Sequence, residues 1–146
     1  MEGTEVACFL LEGRGEWEDL KARLLRSFPN LLFQLVDASS GSNERFFRLI
    51  TAQTLKASGD GSLLAKKPEV DLLLRLARTT QISEAVASVG YKRGEKRILI
   101  AAGKRGEVKR MVGSGIAEGR RLPSVELSES EWERVEEAAI LSALRT

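Results

Sequence analysis

The side chains best placed to do chemistry in this sequence are its cations, and they are unevenly spread. Residues 66–121 hold 14 basic and 6 acidic side chains, a local net charge of +8. Residues 1–65 carry −2 and residues 122–146 carry −4. Lys66, Lys67, Arg75 and Arg78 bracket one strongly apolar segment, and Lys92, Arg93, Lys96 and Arg97 crowd a turn beyond it. Arg75 precedes Arg78 by just under one helical turn, a spacing that puts both on one side of a helix. Clustered cations neutralise phosphates without reading a base sequence. The middle of the chain is therefore a candidate polyanion surface, and the acidic end suits a basic partner. A solvated, charge-rich surface of the kind common in heat-stable proteins accounts for the same counts.

Other chemistries find little footing. The chain has no histidine, which removes the Ser-His and Cys-His dyads and the commonest general base near neutral pH. The single cysteine, Cys8, has no partner for an internal disulfide and no companion ligands for zinc. Its place between Ala7 and Phe9 reads as a buried structural thiol. Gly59–Ser62 (GDGS) lacks the spacing and the Lys-Ser/Thr pair of a phosphate loop. The glycines after Gly103 lack the dinucleotide fingerprint. The residues thus point to no catalytic site, no metal and no cofactor.

These residues sit on a readable series of elements. VACFLL within Glu5–Glu12 reads as a strand, and Glu16–Phe28 as a helix with Trp17, Leu20, Leu24, Leu25 and Phe28 on one stripe. Leu31–Ala38 is a second strand, followed by a loop in which Ser42 is the expected N-cap. The helix Asn43–Ser58 turns Phe46, Phe47, Ile50 and Leu55 to an apolar side. Pro68 opens a helix that is apolar on most sides, including Leu73 and Leu74, and so should lie at the centre of the core. Thr79 or Thr80 caps the next helix, whose apolar stripe is Ile82, Ala85, Val86 and Val89. Gly90 fits its left-handed end. Ile98–Ala102 is a buried strand, Val108, Met111 and Val112 mark a short helix, and Leu122–Leu127 offers an edge strand. Ser128 and Glu131 form a capping box at the head of the last helix. A chain of 146 residues with 42% apolar and 30% charged content suits one globular domain, residues 1–146. The sequence shows neither an apolar run long enough to span a membrane nor a signal peptide, so a cytoplasmic protein is the default expectation.

The stretch from Lys66 to Gly103 resembles the TPRKB-like kinase-binding subunits of the KEOPS (EKC) complex. The resemblance rests on Lys66-Lys67, on Glu69 with Leu72–Leu74, and on Arg78-Thr79-Thr80-Gln81-Ile82. It continues through Ser83-Glu84-Ala85, Gly90 and the strand Ile98–Ile100, and extends more loosely from about Leu31 to the last helix. The resemblance implies an α+β fold, with helices packed on a small, mainly antiparallel sheet of three to four strands. It implies a non-catalytic adaptor that binds the small atypical protein kinase of the complex at its N-lobe. Archaeal members of that family also bind the single-stranded 3′ CCA end of tRNA, and the whole complex makes threonylcarbamoyladenosine in the tRNA anticodon loop.

On that resemblance the tRNA end is expected at Lys66, Lys67, Arg75 and Arg78, with Gln81 positioned to hydrogen-bond a base edge. Only Tyr91 accompanies the patches as an aromatic, so base stacking is a smaller part of this surface than in typical single-strand binders. The kinase is expected at apolar side chains left over after core packing, with Phe46, Ile50, Ile140 and Leu144 as the candidates. Two other classes of function fit the residues: a small enzyme acting on a phosphorylated metabolite at the basic surface, and a purely structural interaction protein.

Overall fold

The chain's longest apolar runs become strands that are covered on both faces. The computed structural model describes residues 3–12, 17–90 and 96–144. Four strands, β1 (Thr4–Leu11), β2 (Leu32–Asp37), β3 (Arg97–Lys104) and β4 (Arg120–Arg121), form one antiparallel sheet in the order β2-β3-β1-β4. β1 and β3 pair along their whole length, from Thr4 opposite Lys104 to Leu11 opposite Arg97. Along β1, Val6 and Cys8 point into one core while Ala7, Phe9 and Leu11 point into another. β3 divides the same way, with Ile98, Ile100 and Ala102 on one side and Leu99 and Ala101 on the other. Near-continuous apolar strands are usually the mark of parallel sheets between helical layers. Here an antiparallel sheet carries them, because helices cover both of its faces.

Four helices lie over the first face: α2 (Glu44–Asp60), α3 (Pro68–Ala77), α4 (Ile82–Val89) and α6 (Glu129–Leu144). Phe46 and Phe47 meet edge to face there, with ring centres 5.4 Å apart, beside Ile50 and Leu72–Leu74. Over the second face lie α1 (Trp17–Ser27) and α5 (Arg105–Ser114), which deliver Leu24, Val108 and Met111 to the core. The fold is α+β, and Leu73 and Leu74 are buried as α3's central place requires. Among the described residues no helix is long and apolar enough to cross a membrane.

Several local expectations are corrected. Asn43, not Ser42, caps α2: its Oδ1 accepts the Arg45 N–H at 3.1 Å. The same amide exchanges two 3.1 Å hydrogen bonds with the backbone of Val125. That clamp and the bond from the Glu44 N–H to Pro123 O hold residues 122–125, so the expected edge strand is an irregular segment and β4 stops at Arg121. Gly90 is extended, not left-handed, at φ −65° and ψ 158°. A Cβ there would lie 2.5 Å from Val86 O, so the glycine serves close approach. Neither Thr79 nor Thr80 is the N-cap of α4. That position is Gln81, whose N–H donates to Thr79 Oγ1 at 3.1 Å. The capping box of α6 is as expected: the Ser128 N–H donates to Glu131 Oε1, and the Glu131 N–H donates to Ser128 Oγ.

The short β4 leaves β1 needing another partner, and a carboxylate supplies it. The Cys8 C=O accepts the Leu122 N–H at 3.0 Å, while the Cys8 N–H donates to Glu44 Oε2 at 2.9 Å. Glu44 is only 3% exposed, and it also accepts from Arg121 at Nε and Nη2 and from Arg48 at Nη2. It stands in the first turn of α2, where the helix dipole favours an anion.

Burial, and secondarily the charge of Glu44, push the Cys8 thiol well above its usual range. The unfolded chain releases that proton near pH 8.5 and the folded chain does not. The unfolded state then holds fewer protons, so Cys8 lowers stability as the pH rises above that point, by at most about 1.4 kcal/mol per pH unit. We expect the Cys8→Ala protein to lack this component of the alkaline slope. Native Cys8 should also resist alkylation until the chain unfolds. Equal slopes in the two proteins, measured by urea denaturation at pH 8 to 10, would refute the assignment.

Candidate functional site

Lys66, Lys67 and Arg78 stand at opposite ends of α3 and do not converge. Lys66 and Lys67 are exposed at its head. Arg78 ends the helix, roughly 16 Å further along at 1.5 Å per residue. Its φ of 56° and ψ of 46° make it the one non-glycine residue with positive φ among the described residues. L-residues other than glycine enter that region at a cost, and its backbone N–H closes the helix on Leu74 and Arg75 O. Arg78 and Gln81 are both exposed at the junction between α3 and α4. The Arg78 guanidinium lies 3.7 Å from Glu137 on α6. Gln81 is exposed, and its side chain caps nothing.

Arg75 is not part of that surface. It is 1% exposed, and the expectation that it shares an open side with Arg78 is overturned by a buried ion pair. Its Nε donates to Asp71 Oδ1 at 2.7 Å and its Nη2 to Asp71 Oδ2 at 3.2 Å. Nη1 reaches Ala138 O and Ser142 Oγ on α6. Asp71 in turn accepts from the Thr54 hydroxyl of α2 at 2.6 Å and from the Leu64 N–H at 2.9 Å. The pair therefore ties α2, α3, the Leu64 segment and α6 together. A buried charge persists only when it is paired and hydrogen-bonded in this way.

The second basic patch also changes. Arg97 opens β3 and is buried, and Lys96 is exposed 3.8 Å from Glu12. Lys92, Arg93 and Tyr91 lie outside the described residues. One cation that periodicity gave no reason to single out is Arg134. Its guanidinium stands 4.3 Å from the centre of the Phe46 ring and donates to Ser40 O at 2.7 Å. Burial and the nearby charge of Arg78 lower its pKa. The only sequence signal for it is its place within reach of Glu131 and Glu137 on the same helix.

The apolar candidates divide cleanly. Phe46 and Ile50 are completely buried, so neither is open to a partner: they belong to the core between α2 and the sheet. Ile140 and Leu144, one turn apart on α6, are 56% and 69% exposed. Ile82 and Val86, one turn apart on α4, are each 54% exposed, although their spacing with Ala85 and Val89 reads as one core stripe. α4 lies at the margin of the helical layer, so only its Ala85 and Val89 edge is covered.

The fold and these surfaces define an α+β domain that presents a basic helix junction and two uncovered apolar helix faces. No protein-family model matches the chain, and no curated protein matches it.

Proposed function

We propose that this chain is a non-catalytic adaptor of the KEOPS type, one that binds a small atypical kinase and the single-stranded 3′ CCA end of tRNA. The observation that carries this reading is the α3–α4 junction. Arg78 and Gln81, two of the residues on which the resemblance rests, are both exposed there, and Lys66 and Lys67 are exposed at the other end of the same helix. A separation of roughly 16 Å suits non-adjacent phosphates along an extended strand better than one phosphorylated metabolite. That disfavours the small-enzyme alternative. Ile140 and Leu144, with Ile82 and Val86, supply the uncovered apolar area that a docking protein needs. The acidic end of the chain would steer a basic kinase lobe and act mainly on association rate.

The test measures tRNA binding and kinase capture on the same variants. Lys67→Glu with Arg78→Glu should weaken tRNA binding by about ten-fold or more, and should make the salt slope shallower by about 0.7 for each single-strand phosphate no longer neutralised. Deleting the CCA end should weaken the wild-type protein to a similar degree. Ile140→Glu and Leu144→Glu should abolish kinase capture while changing stability by less than about 0.5 kcal/mol, since both side chains are exposed. Unchanged binding of the truncated tRNA sinks the RNA half of the proposal. A folded Ile140→Glu, Leu144→Glu protein that still captures the kinase sinks the other half.

A further inference from the structure

The structure redistributes the positive charge that the sequence concentrates in its middle. At the start of β3 Lys96 faces Glu12 and Arg97 is buried, and on the α3 side Arg75 is buried in an ion pair and Arg78 faces Glu137. On the opposite face of the sheet the situation reverses. Arg105, Lys109 and Arg110 of α5 are exposed there, Lys104 and Arg120 are exposed at its rims, and none forms an ion pair with the described residues. Only Glu107 and Glu118 oppose them between residues 104 and 121. Arg121 joins the group in a fixed pose. Glu44 holds its guanidinium, which stands 5.8 Å from the centre of the Phe9 ring, and Arg121 shares with Lys109 a cleft of about 300 Å³ that Glu5, itself paired with Arg48, also lines.

The stability of α5 does not ask for this arrangement. Lys104 and Arg105 sit at the positive end of the helix dipole, where cations are unfavourable. α5 turns Val108 and Met111 to the core, so its outer face is free to be neutral, yet it sets Arg105, Lys109 and Arg110 against the half-buried Glu107 alone. Arg120 and Arg121 add two cations in succession at the neighbouring edge.

We infer that the α5–β4 surface is a second nucleic-acid surface, which takes the sugar-phosphate backbone of the same RNA beyond its single-stranded end. The inference rests on the adaptor reading above. The sheet lies between α3–α4 and α5, so a short single strand held at the α3–α4 junction does not also cover α5. The body of a folded RNA does. A lipid surface fits less well, because a helix lying on a membrane inserts an apolar face. The apolar face of α5 is already in the core, and neither α5 nor β4 carries a large exposed apolar side chain among the described residues. Backbone recognition without base reading is the chemistry of such a surface.

The experiment compares one variant, Arg105→Glu with Lys109→Glu and Arg110→Glu, on two ligands: a full-length tRNA transcript and a short single-stranded oligonucleotide ending in CCA. The variant should bind the full-length RNA about ten-fold or more weakly, with a salt slope shallower by about 0.9 for each duplex phosphate no longer neutralised. Its binding to the oligonucleotide should stay within about two-fold of wild type. Arg105→Gln with Lys109→Gln and Arg110→Gln carries the same test if charge reversal disturbs folding. Undiminished binding of the full-length RNA overturns the inference, and so does an equal loss on both ligands. Displacement of the RNA by poly-glutamate at matched charge assigns the surface to an acidic protein and overturns it as well. Failure of the wild-type protein to bind the oligonucleotide strikes the end-binding reading instead. The two failures are therefore distinguishable.

Discussion

An Arg75→Ala protein is expected to lose roughly 3–5 kcal/mol of stability, because it leaves the Asp71 carboxylate buried and without its counter-ion. That is a large share of the 5–15 kcal/mol typical of a domain, so the urea midpoint should fall steeply and expression with it. The effect should spread to α6, since Arg75 also donates to Ala138 O and Ser142 Oγ there. Replacing both partners, as in Asp71→Leu with Arg75→Met, should recover part of the loss: the desolvation cost of both charges disappears, but the Thr54 hydroxyl and the Leu64 N–H lose their acceptor. If Arg75→Ala melts with the wild type, the buried pair is not what joins α3 to α6. The same experiment separates structure from recognition. A residue that only met RNA would weaken RNA binding without moving the midpoint.

The second large effect is expected at Glu44. Glu44→Ala removes a carboxylate that accepts from the Cys8 backbone, from Arg121 twice and from Arg48. One of those donors, the Cys8 N–H, lies in a strand residue that is fully buried. An orphaned buried donor costs about 1–3 kcal/mol and a charge-assisted hydrogen bond about 1.5–3 kcal/mol. A loss of roughly 3–4 kcal/mol follows, discounted for the partial exposure of both arginines. Glu44→Gln, which keeps an acceptor oxygen at the same place, should lose less. Amide exchange at Cys8 is the specific readout. It should accelerate in Glu44→Ala beyond any change at Leu99 in the neighbouring strand. Equal acceleration at both positions would mean that Glu44 acts on global stability alone.

What the sequence could and could not disclose follows from the kind of signal each feature leaves. β1 and β3 were legible because eight-residue runs such as RILIAAGK are largely apolar, and the head of α6 because a capping box has a fixed spacing. Depth was not legible. Asp71 and Arg75 stand at the helical spacing of an ion pair, on a helix surrounded by leucines, yet spacing alone does not tell a surface pair from a buried one. The same gap separates Ile140 and Leu144, which are open, from Phe46 and Ile50, which are not. Periodicity names an apolar face, and only tertiary packing decides whether something covers it. Glu44 left no signal, because its role depends on β4 stopping after two residues far along the chain. The lesson for the candidate site is direct. Lys66, Lys67, Arg78 and Gln81 are where the sequence reading places them, at the surface, while Arg75 is the keystone beneath.

The order of the sheet also sets a timetable. The two central strands are partners from distant parts of the chain: Val6 lies across from Ala102, about a hundred residues later. A ribosome adding 5–20 residues per second takes roughly 5–20 s to bring that partner out. Throughout that interval VACFLL, a strand destined to be covered on both faces, has nothing of its own to pair with. Pairings so distant along the chain close slowly even in the finished protein. The nascent chain is therefore open to wrong partners for seconds, and a cell making this protein has reason to shield its first strand until the third arrives.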